Sequence, residues 1–292
     1  MSLATALSAS AFPVAASLAS APEKSAADIK ATERLVTPRL IAEKTTLIAG
    51  KTNILGVTFE IPKDWHVYWN GQSDSGLPMN TEWELPGGFT AEPQQWPAPV
   101  RHVSPGEILD HVYFDRVTLI SPIAVSADVK PGPITLKAKL KWLVCKDGCI
   151  PEKGEVSITL PVAAFGESLT DSPDAAMIQA ARERLPIPAP SSAGVMTTLN
   201  RGSDKAGAHL TISVKGATEL TFFPDSGEYV LAMPIEQATA SGETLSMDLE
   251  LLEKNTPVSG VLEVKRAEAA AKTAWYQLTF NPPGPAGTVD KK

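Results

Sequence analysis

The sequence of 292 residues has only two cysteines, and no apolar run in it is long enough to span a membrane. A membrane-spanning helix needs about 18 or more consecutive apolar residues, so none is predicted. Basic residues are also in the minority, with 26 Lys and Arg against 33 Asp and Glu and a net charge of -7. This balance argues against a nucleic-acid-binding protein, which needs a basic face to neutralise phosphates.

Histidine is scarce as well, and its spacing does not suggest a metal site. None of the four histidines lies at the spacing of a motif such as H-x-x-x-H. They are His66, His102, His111 and His209. No metal site and no cofactor are therefore predicted from these residues.

Short strand-like segments separated by turns fill most of the chain, which has 25 prolines and 20 glycines. The clearest is residues 134–144, where apolar side chains alternate with threonine and lysine. Such a period of two predicts a strand with one buried face. Residues 112–120 are predicted as another strand, and residues 97–110 as an irregular segment. Many short strands of this kind predict an all-β fold built from antiparallel sandwiches.

We predict two such sandwiches, at residues 30–166 and 194–283. Between them, residues 167–193 are predicted to hold a short helix and a Pro-rich linker. Ser172 would cap this helix and Pro173 would occupy its first position. Residues 284–292 are predicted to be a disordered tail.

The first 29 residues are predicted to lie outside the fold, as a signal remnant or a disordered tail. Residues 1–21 carry no charge, and residues 19–21 (ASA) resemble a small-residue cleavage site. The basic segment that begins a secretory signal is missing. We favour a signal that begins upstream, which predicts export to a compartment where disulfides persist.

Cys145 and Cys149 flank Lys146, Asp147 and Gly148, a combination that favours a tight turn. Gly148 can take the positive φ that three-residue hairpin loops often need. The cysteines would then face each other across the strand ends, within reach of a disulfide. A bond that closes so small a loop contributes only about 2 kcal/mol in the chain-entropy picture. Because accessible disulfides at turns are the labile ones, this weak structural role favours exchange chemistry.

The residues alone leave three interpretations of the pair open. The first is a structural disulfide in an exported sandwich, and the second is thiol–disulfide exchange. The third is binding of a soft ion such as Cu(I) by two thiolates, although no histidine is adjacent in sequence. A protein-binding module with an incidental disulfide is a related alternative.

Four motifs in order resemble the N-terminal periplasmic region of the DsbD family, and specifically its ScsB-like branch. They are WHVYW at residues 65–69, SDSGLP at 73–78, QWPAP at 95–99, and WLVC with CIP at 142–151. The resemblance covers about residues 35–165 well and the remainder loosely. It implies immunoglobulin-like sandwiches and a redox-active Cys pair.

The resemblance also implies a function, that of a protein-disulfide reductase or a domain of one. Members of the family accept electrons from a membrane-embedded domain. They pass them to thioredoxin-fold proteins of the periplasm, of the disulfide-isomerase or cytochrome c maturation type. The chain is therefore expected to be periplasmic and to be the ectodomain of an inner-membrane protein or a stand-alone relative.

Site residues follow from the resemblance only where positions match. Cys145 and Cys149 match the redox pair, with Cys149 as the attacking thiol. His66 and Tyr68 match two residues of the active-site wall, although better-known members have tyrosine in place of His66. The family covers its cysteines with a cap loop, to which residues 102–109 correspond. Glu107 and Ile108 are the nearest candidates for its tip.

Overall fold

The structure is a computed structural model that describes residues 34–164, 166, 169–201, 207–253, 256–267 and 273–281. The predicted signal remnant or tail at residues 1–29 and the predicted tail at 284–292 lie outside these residues. The described residues belong to one compact unit. None of the helices formed by the described residues has the length and apolar character that crossing a membrane requires.

Two facing sheets form the first sandwich within the described residues. One sheet has the strand order β1-β3-β9-β6, and the other has the order β2-β11-β10-β4-β8-β7, with β5 also paired to β10. The strands are β1 (Thr37–Ala42), β2 (Leu47–Ile48), β3 (Thr52–Glu60), β4 (His66–Tyr68), β5 (Asn80–Glu84), β6 (Phe89–Ala91), β7 (Val100–Ser104), β8 (Ile108–Phe114), β9 (Arg116–Val125), β10 (Gly132–Cys145) and β11 (Cys149–Ala163).

The longest hairpin of this sandwich joins β10 and β11 and shows the predicted alternation. Leu140, Trp142 and Val144 are buried in the core between the sheets, whereas Lys139 and Lys141 are exposed on the outer face. Side chains alternate along a strand, so the outer face continues at residues 143 and 145. The two sheets therefore enclose one apolar core, and the hairpin presents its outer face and its tip to the site.

The second sandwich is also built from two sheets, with the orders β12-β20-β19-β15-β17 and β13-β14-β18-β16. The predicted all-β fold with two immunoglobulin-like sandwiches is thus confirmed. The elements are α1 (Ala175–Arg182), β12 (Ile187–Pro188), a 3-10 helix (Ser191–Ala193), β13 (Val195–Arg201), β14 (Gly207–Val214), β15 (Ala217–Pro224), β16 (Tyr229–Leu231), α2 (Pro234–Gln237), β17 (Thr239–Ser241), β18 (Thr244–Leu251), β19 (Val258–Arg266) and β20 (Ala274–Phe280).

Three local predictions differ from the structure. The single strand expected at residues 112–120 is two strands, β8 and β9, which belong to different sheets. Asp115 separates them with a φ of 58°, a backbone conformation that ends a strand. The segment expected to be irregular instead forms the β7–β8 hairpin.

The third difference is the start of the connecting helix. It begins at Ala175, with Asp174 rather than Ser172 at the N-cap position. The Ser172 hydroxyl instead donates a hydrogen bond to the carbonyl of Ala42 on β1. The helix packs on the outer face of the smaller sheet, where Ile178 meets Ile41 and Ile120.

The two sandwiches meet through apolar side chains of the second that enter the core of the first. Phe223 on β15 is only 1% exposed and belongs to the same apolar cluster as Trp69 and Tyr113. Its neighbour Phe222 points the other way, into the core of the second sandwich. Consecutive residues of β15 therefore belong to different cores, which couples the sandwiches.

Candidate redox site

Four strands of the larger sheet place their side chains in one row at the tip of the β10–β11 hairpin. Cys149 pairs with Cys145, Cys145 pairs with His66, and His66 pairs with Phe114. Residues that pair across strands point to the same face of a sheet. The row therefore collects the two cysteines, a histidine and an aromatic ring on the outer face.

Cys145 and Cys149 form a disulfide, with their Cα atoms 4.2 Å apart. Residues 146–148 make the turn, and Gly148 does not use the positive φ that was expected of it. Cys145 is only 3% exposed, whereas Cys149 is an exposed residue. The two residues of the disulfide therefore differ in exposure, and Cys149 is the more accessible of the two.

Cys145 is buried although its register places it on the outer face, because side chains of the neighbouring strands cover it. It packs in a small apolar cluster with Tyr68 and Val112, joined by Phe114 and Leu143. This cluster is separate from the main core of the sandwich. The outer face of the sheet thus changes from lysine to apolar side chains as it approaches the disulfide.

The loop of residues 70–78 covers Tyr68. Gly76 has a φ of 72°, and a Cβ atom at this position would lie 2.1 Å from the Tyr68 ring. Only glycine allows this backbone conformation and this close approach at low cost. The SDSGLP motif therefore serves to seat the loop on the ring that borders Cys149.

A chain of polar contacts leads from Cys149 into the protein. The Tyr68 hydroxyl lies 3.6 Å from Cys149 Sγ and 3.2 Å from Ser75 Oγ. Ser75 Oγ donates to Asp110 Oδ2 at 2.7 Å, and the Ser75 N–H donates to Asp110 Oδ1 at 2.9 Å. Asp110 is 2% exposed. The exposed cysteine is thus connected to a buried carboxylate through two hydroxyl groups.

His66 is uncharged at neutral pH. Burial, reinforced by the neighbouring His102, lowers the pKa of His66 to about 4 against an opposing effect of Asp110. Its Nε2 lies 3.4 Å from the Tyr68 hydroxyl, and its ring centroid lies 5.2 Å from that of His102. Burial also raises the pKa of Tyr68, so this hydroxyl keeps its proton at neutral pH. Both predicted wall residues therefore lie beside the disulfide.

The predicted cap-loop residues occupy the turn of the β7–β8 hairpin. Glu107 lies in this turn with a φ of 61°, and Ile108 begins β8, six residues before Phe114. No hydrogen bond among the described residues joins either of them to a cysteine. His102, from the same segment, reaches the site instead, and its ring centroid lies 5.4 Å from that of Phe114.

Two clefts border the site. One of about 420 Å³ lies between the loop of residues 70–78 and the second sandwich, beside Tyr68. The other, of about 450 Å³, runs along the β10–β11 hairpin and is lined by apolar residues that include Leu77, Leu143 and Pro151. Leu77 is 67% exposed. In the part of the chain that the structure describes, no three His, Cys, Asp or Glu residues are grouped to hold a metal ion.

Comparison with known proteins agrees with this geometry. Residues 32–161 match the family model described as thiol:disulfide interchange protein DsbD, N-terminal. The first sandwich therefore corresponds to the region that this family model describes. The resemblance predicted from the ordered motifs is confirmed. A search of curated proteins gives no match.

One solved structure shares the fold of both sandwiches. The N-terminal periplasmic domain of ScsB from Proteus mirabilis superposes with a TM-score of 0.54 at 12% identity, covering 85% of this chain and 92% of that one. At this identity the likeness shows the fold alone.

Two other solved structures give much lower scores. A protein of unknown function from Porphyromonas gingivalis W83 has a TM-score of 0.23 at 9% identity, covering 83% of this chain and 99% of that one. The pilin subunit BcpA of Bacillus cereus has a TM-score of 0.26 at 11% identity, covering 85% and 64%. Neither likeness adds to the assignment.

Ser75 and Asp110 are the residues of this DsbD-type site that sequence reasoning missed. Asp110 was included in a segment expected to be irregular, so its place on a strand was not seen. Alternation along β8 puts residue 110 on the same face as Val112 and Phe114. A strand predicted from residue 108 onward would have pointed to a carboxylate on the face of the cysteines.

Proposed function

We propose that the protein is a periplasmic thiol–disulfide exchange module that acts through Cys145 and Cys149. In the family that matches residues 32–161, the described function is thiol:disulfide interchange. The observation that carries the proposal is the unequal exposure of the two cysteine residues at the hairpin tip, where Cys145 is buried and Cys149 is exposed. A purely structural disulfide does not require an exposed cysteine, whereas thiol–disulfide exchange requires a cysteine that a partner can reach.

The direction of electron flow that we propose is from a membrane electron-transfer domain to thioredoxin-fold proteins of the periplasm. In the reduced protein, the Cys149 thiolate attacks the partner's disulfide and forms a mixed disulfide, and one partner sulfur leaves as a thiolate. Cys145 then attacks Cys149, which forms the Cys145–Cys149 bond and releases the second partner sulfur. Two electrons pass to the partner, and its two thiolates take up the two protons that the cysteines lose.

The cleft along the β10–β11 hairpin supports docking of a partner beside the disulfide. It begins two residues from each cysteine, and the exposed Leu77 lies on its border. Exposed apolar surface next to a reactive group is typical of a site of protein contact. The activity is therefore proposed to be that of a protein-disulfide reductase with protein substrates.

Trapping of mixed disulfides tests this proposal. We expect Cys145→Ser to accumulate a mixed disulfide with a thioredoxin-fold periplasmic protein, because the resolving thiol is missing. Cys149→Ser is expected to accumulate none, because Cys145 is buried. The reverse pattern would assign the attack to Cys145. Failure of both variants to trap a partner, together with a reduction potential far below about -300 mV, would show a structural disulfide.

A further inference from the structure

The direction of the hydrogen bonds between Cys149 and Asp110 is fixed from the Asp110 end. An ionised carboxylate only accepts hydrogen bonds, and both Asp110 oxygens accept from Ser75. The Ser75 hydroxyl has one hydrogen, which it donates to Asp110. Toward Tyr68, Ser75 Oγ is therefore an acceptor.

Tyr68 consequently turns its own hydrogen away from Cys149. Its hydroxyl has a single hydrogen, and Ser75 Oγ at 3.2 Å is a closer and stronger acceptor than the sulfur atom at 3.6 Å. His66 Nε2, at 3.4 Å, is a second acceptor in reach in the tautomer that carries the ring hydrogen on Nδ1. With either acceptor, a lone pair of the Tyr68 oxygen faces Cys149, and this lone pair can accept a hydrogen bond from a thiol.

We propose that Asp110, acting through Ser75 and Tyr68, holds the reduced Cys149 in its thiol form and so restrains its ionisation. This inference rests on the proposed exchange function and names positioning residues for it. A thiol donates its hydrogen to the Tyr68 oxygen, whereas a thiolate would face a lone pair of that oxygen. The buried charge of Asp110 disfavours a nearby thiolate for the same reason.

The other titratable groups around Asp110, Ser75 and Tyr68 do not reverse their effect on the ionisation of Cys149. His66 on β4 is neutral, and His111 on β8 faces away, toward the second sandwich, where its ring packs on Phe223. His102 on β7 contacts the rings of His66 and Phe114. Asp74 in the covering loop accepts from the Leu109 N–H. Lys146 and Asp147, of opposite sign, flank Cys149 in the turn.

The test measures the ionisation of Cys149 directly. In the full chain with Cys145→Ser, Cys149 is the only thiol. Its rate of alkylation by iodoacetamide, followed from pH 5 to pH 10, gives the midpoint of thiolate formation. We expect Asp110→Asn to lower this midpoint by about one pH unit, the size expected of a charge within about 10 Å at an effective dielectric constant near 20.

Ser75→Ala distinguishes the effect of the hydrogen bonds from the effect of the Asp110 charge, because it removes the hydroxyl and keeps the carboxylate. It frees the Tyr68 hydrogen to donate to the thiolate, so we expect a smaller downward shift of the midpoint. Adding Tyr68→Phe is expected to abolish that shift, because the donor is then missing. If Asp110→Asn does not fold, as judged by circular dichroism and thermal unfolding, this pair of variants decides the inference.

Asp74→Asn is the matched control. It removes one negative charge from the loop that contains Ser75, and it leaves the hydrogen bonds among Asp110, Ser75 and Tyr68 in place. We expect it to shift the midpoint much less than Asp110→Asn does, because Asp74 is exposed and water screens its charge. A midpoint that Asp110→Asn leaves unchanged or raises would overturn the inference, as would an equal shift from Asp74→Asn. Exchange with a thioredoxin-fold protein is assayed separately, so loss of the proposed function without loss of these shifts would leave the inference standing.

Discussion

The two sandwiches differ in what they bury. The first buries His66, Asp110 and His111, which are all titratable. Among the described residues of the second, the buried polar side chains other than tyrosine are Thr221 and Thr256, and no Asp, Glu, Lys, Arg or His is buried there. Burying a titratable group costs free energy unless it is paired, so such groups concentrate where chemistry needs them. The contrast supports the proposed exchange site in the first sandwich, beside which the second is a largely apolar scaffold.

The scaffold nevertheless contacts the loop that covers the site. At one end of the loop, the Gln72 side chain donates to the carbonyls of Asp225 and Tyr229, at 3.0 and 2.7 Å. At the other end, Ser75 and Gly76 contact Tyr68. The second sandwich thus holds one end of a loop whose other end borders Cys149. Substitutions that uncouple the sandwiches, or that disturb either end of this loop, test whether the second sandwich affects Cys149.

The largest effect is expected from Phe223→Ala. Phe222→Ala is its matched control, because both rings are fully buried but belong to different cores. Each truncation should lower the free energy of unfolding by about 3–5 kcal/mol. Phe223 packs on His111, which holds residues 72 and 73 of the loop through two hydrogen bonds. We therefore expect only Phe223→Ala to change the alkylation rate of Cys149 in the folded protein.

Denaturant unfolding measures the two losses, and alkylation of reduced protein under native conditions measures the local effect. Equal changes in Cys149 reactivity from both variants would show that general loss of stability, and not the junction, reaches the site. No change from either variant would show that the loop holds its position without the second sandwich.

The next largest effect is expected from Gly76→Ala, with Gly106→Ala as the control. Both glycines have a positive φ, but a Cβ would strike the Tyr68 ring only at Gly76 and would meet nothing within 4 Å at Gly106. The backbone conformation alone costs about 1–2 kcal/mol at each position. Displacing the ring adds about 1–3 kcal/mol at Gly76. Thermal unfolding that shows equal losses would mean that the loop does not rest on Tyr68.

Much of the fold could be predicted because its signals are local. Alternation along residues 134–144 predicted β10, and the turn between the cysteines predicted the hairpin and its disulfide. The helix start was predicted too early, because Ser172 accepts the N–H of Asp174 in the turn before the helix. The same hydroxyl donates to Ala42, which is 130 residues away along the chain, and local rules do not predict that contact.

The site was predicted only in part for a similar reason. The turn between them placed Cys145 and Cys149, whereas His66 and Tyr68 were predicted only from the resemblance to the DsbD family. The link between Ser75 and Asp110 spans 35 residues and depends on how the loop crosses the sheet. No pattern within either segment encodes that crossing. Asp110 could therefore be recognised as part of the site only from the structure.

The buried histidines predict a dependence of stability on pH. Burial lowers the pKa of His111 to about 4, as it does for His66, from the ordinary value of 6.5. Between these pH values the unfolded chain binds protons that the folded chain does not. Stability should thus fall as the pH drops from about 6.5 to 4, by up to about 1.4 kcal/mol per pH unit for each histidine.

Denaturant unfolding at a series of pH values measures this slope. We expect His111→Phe to remove about half of it, whatever the change in absolute stability, and His66→Phe to remove the other half. If the dependence of stability on pH remains in both variants, it comes from other groups. The buried histidines would then not distinguish the first sandwich from the second in this respect.

The smallest effect on stability is expected from Gln72→Ala, which removes the donor to two carbonyls of the second sandwich. The loss should be about 1–2 kcal/mol, because the carbonyls of Asp225 and Tyr229 lose a partner. Gln94→Ala is the control, since Gln94 donates to Ser121 at 2.9 Å within the first sandwich. Both variants should lose similar stability, but only Gln72→Ala should alter the alkylation midpoint of Cys149. An unaltered midpoint would mean that Ser75 and Gly76 alone seat the loop on Tyr68, so that the second sandwich supports the fold without acting on the cysteines.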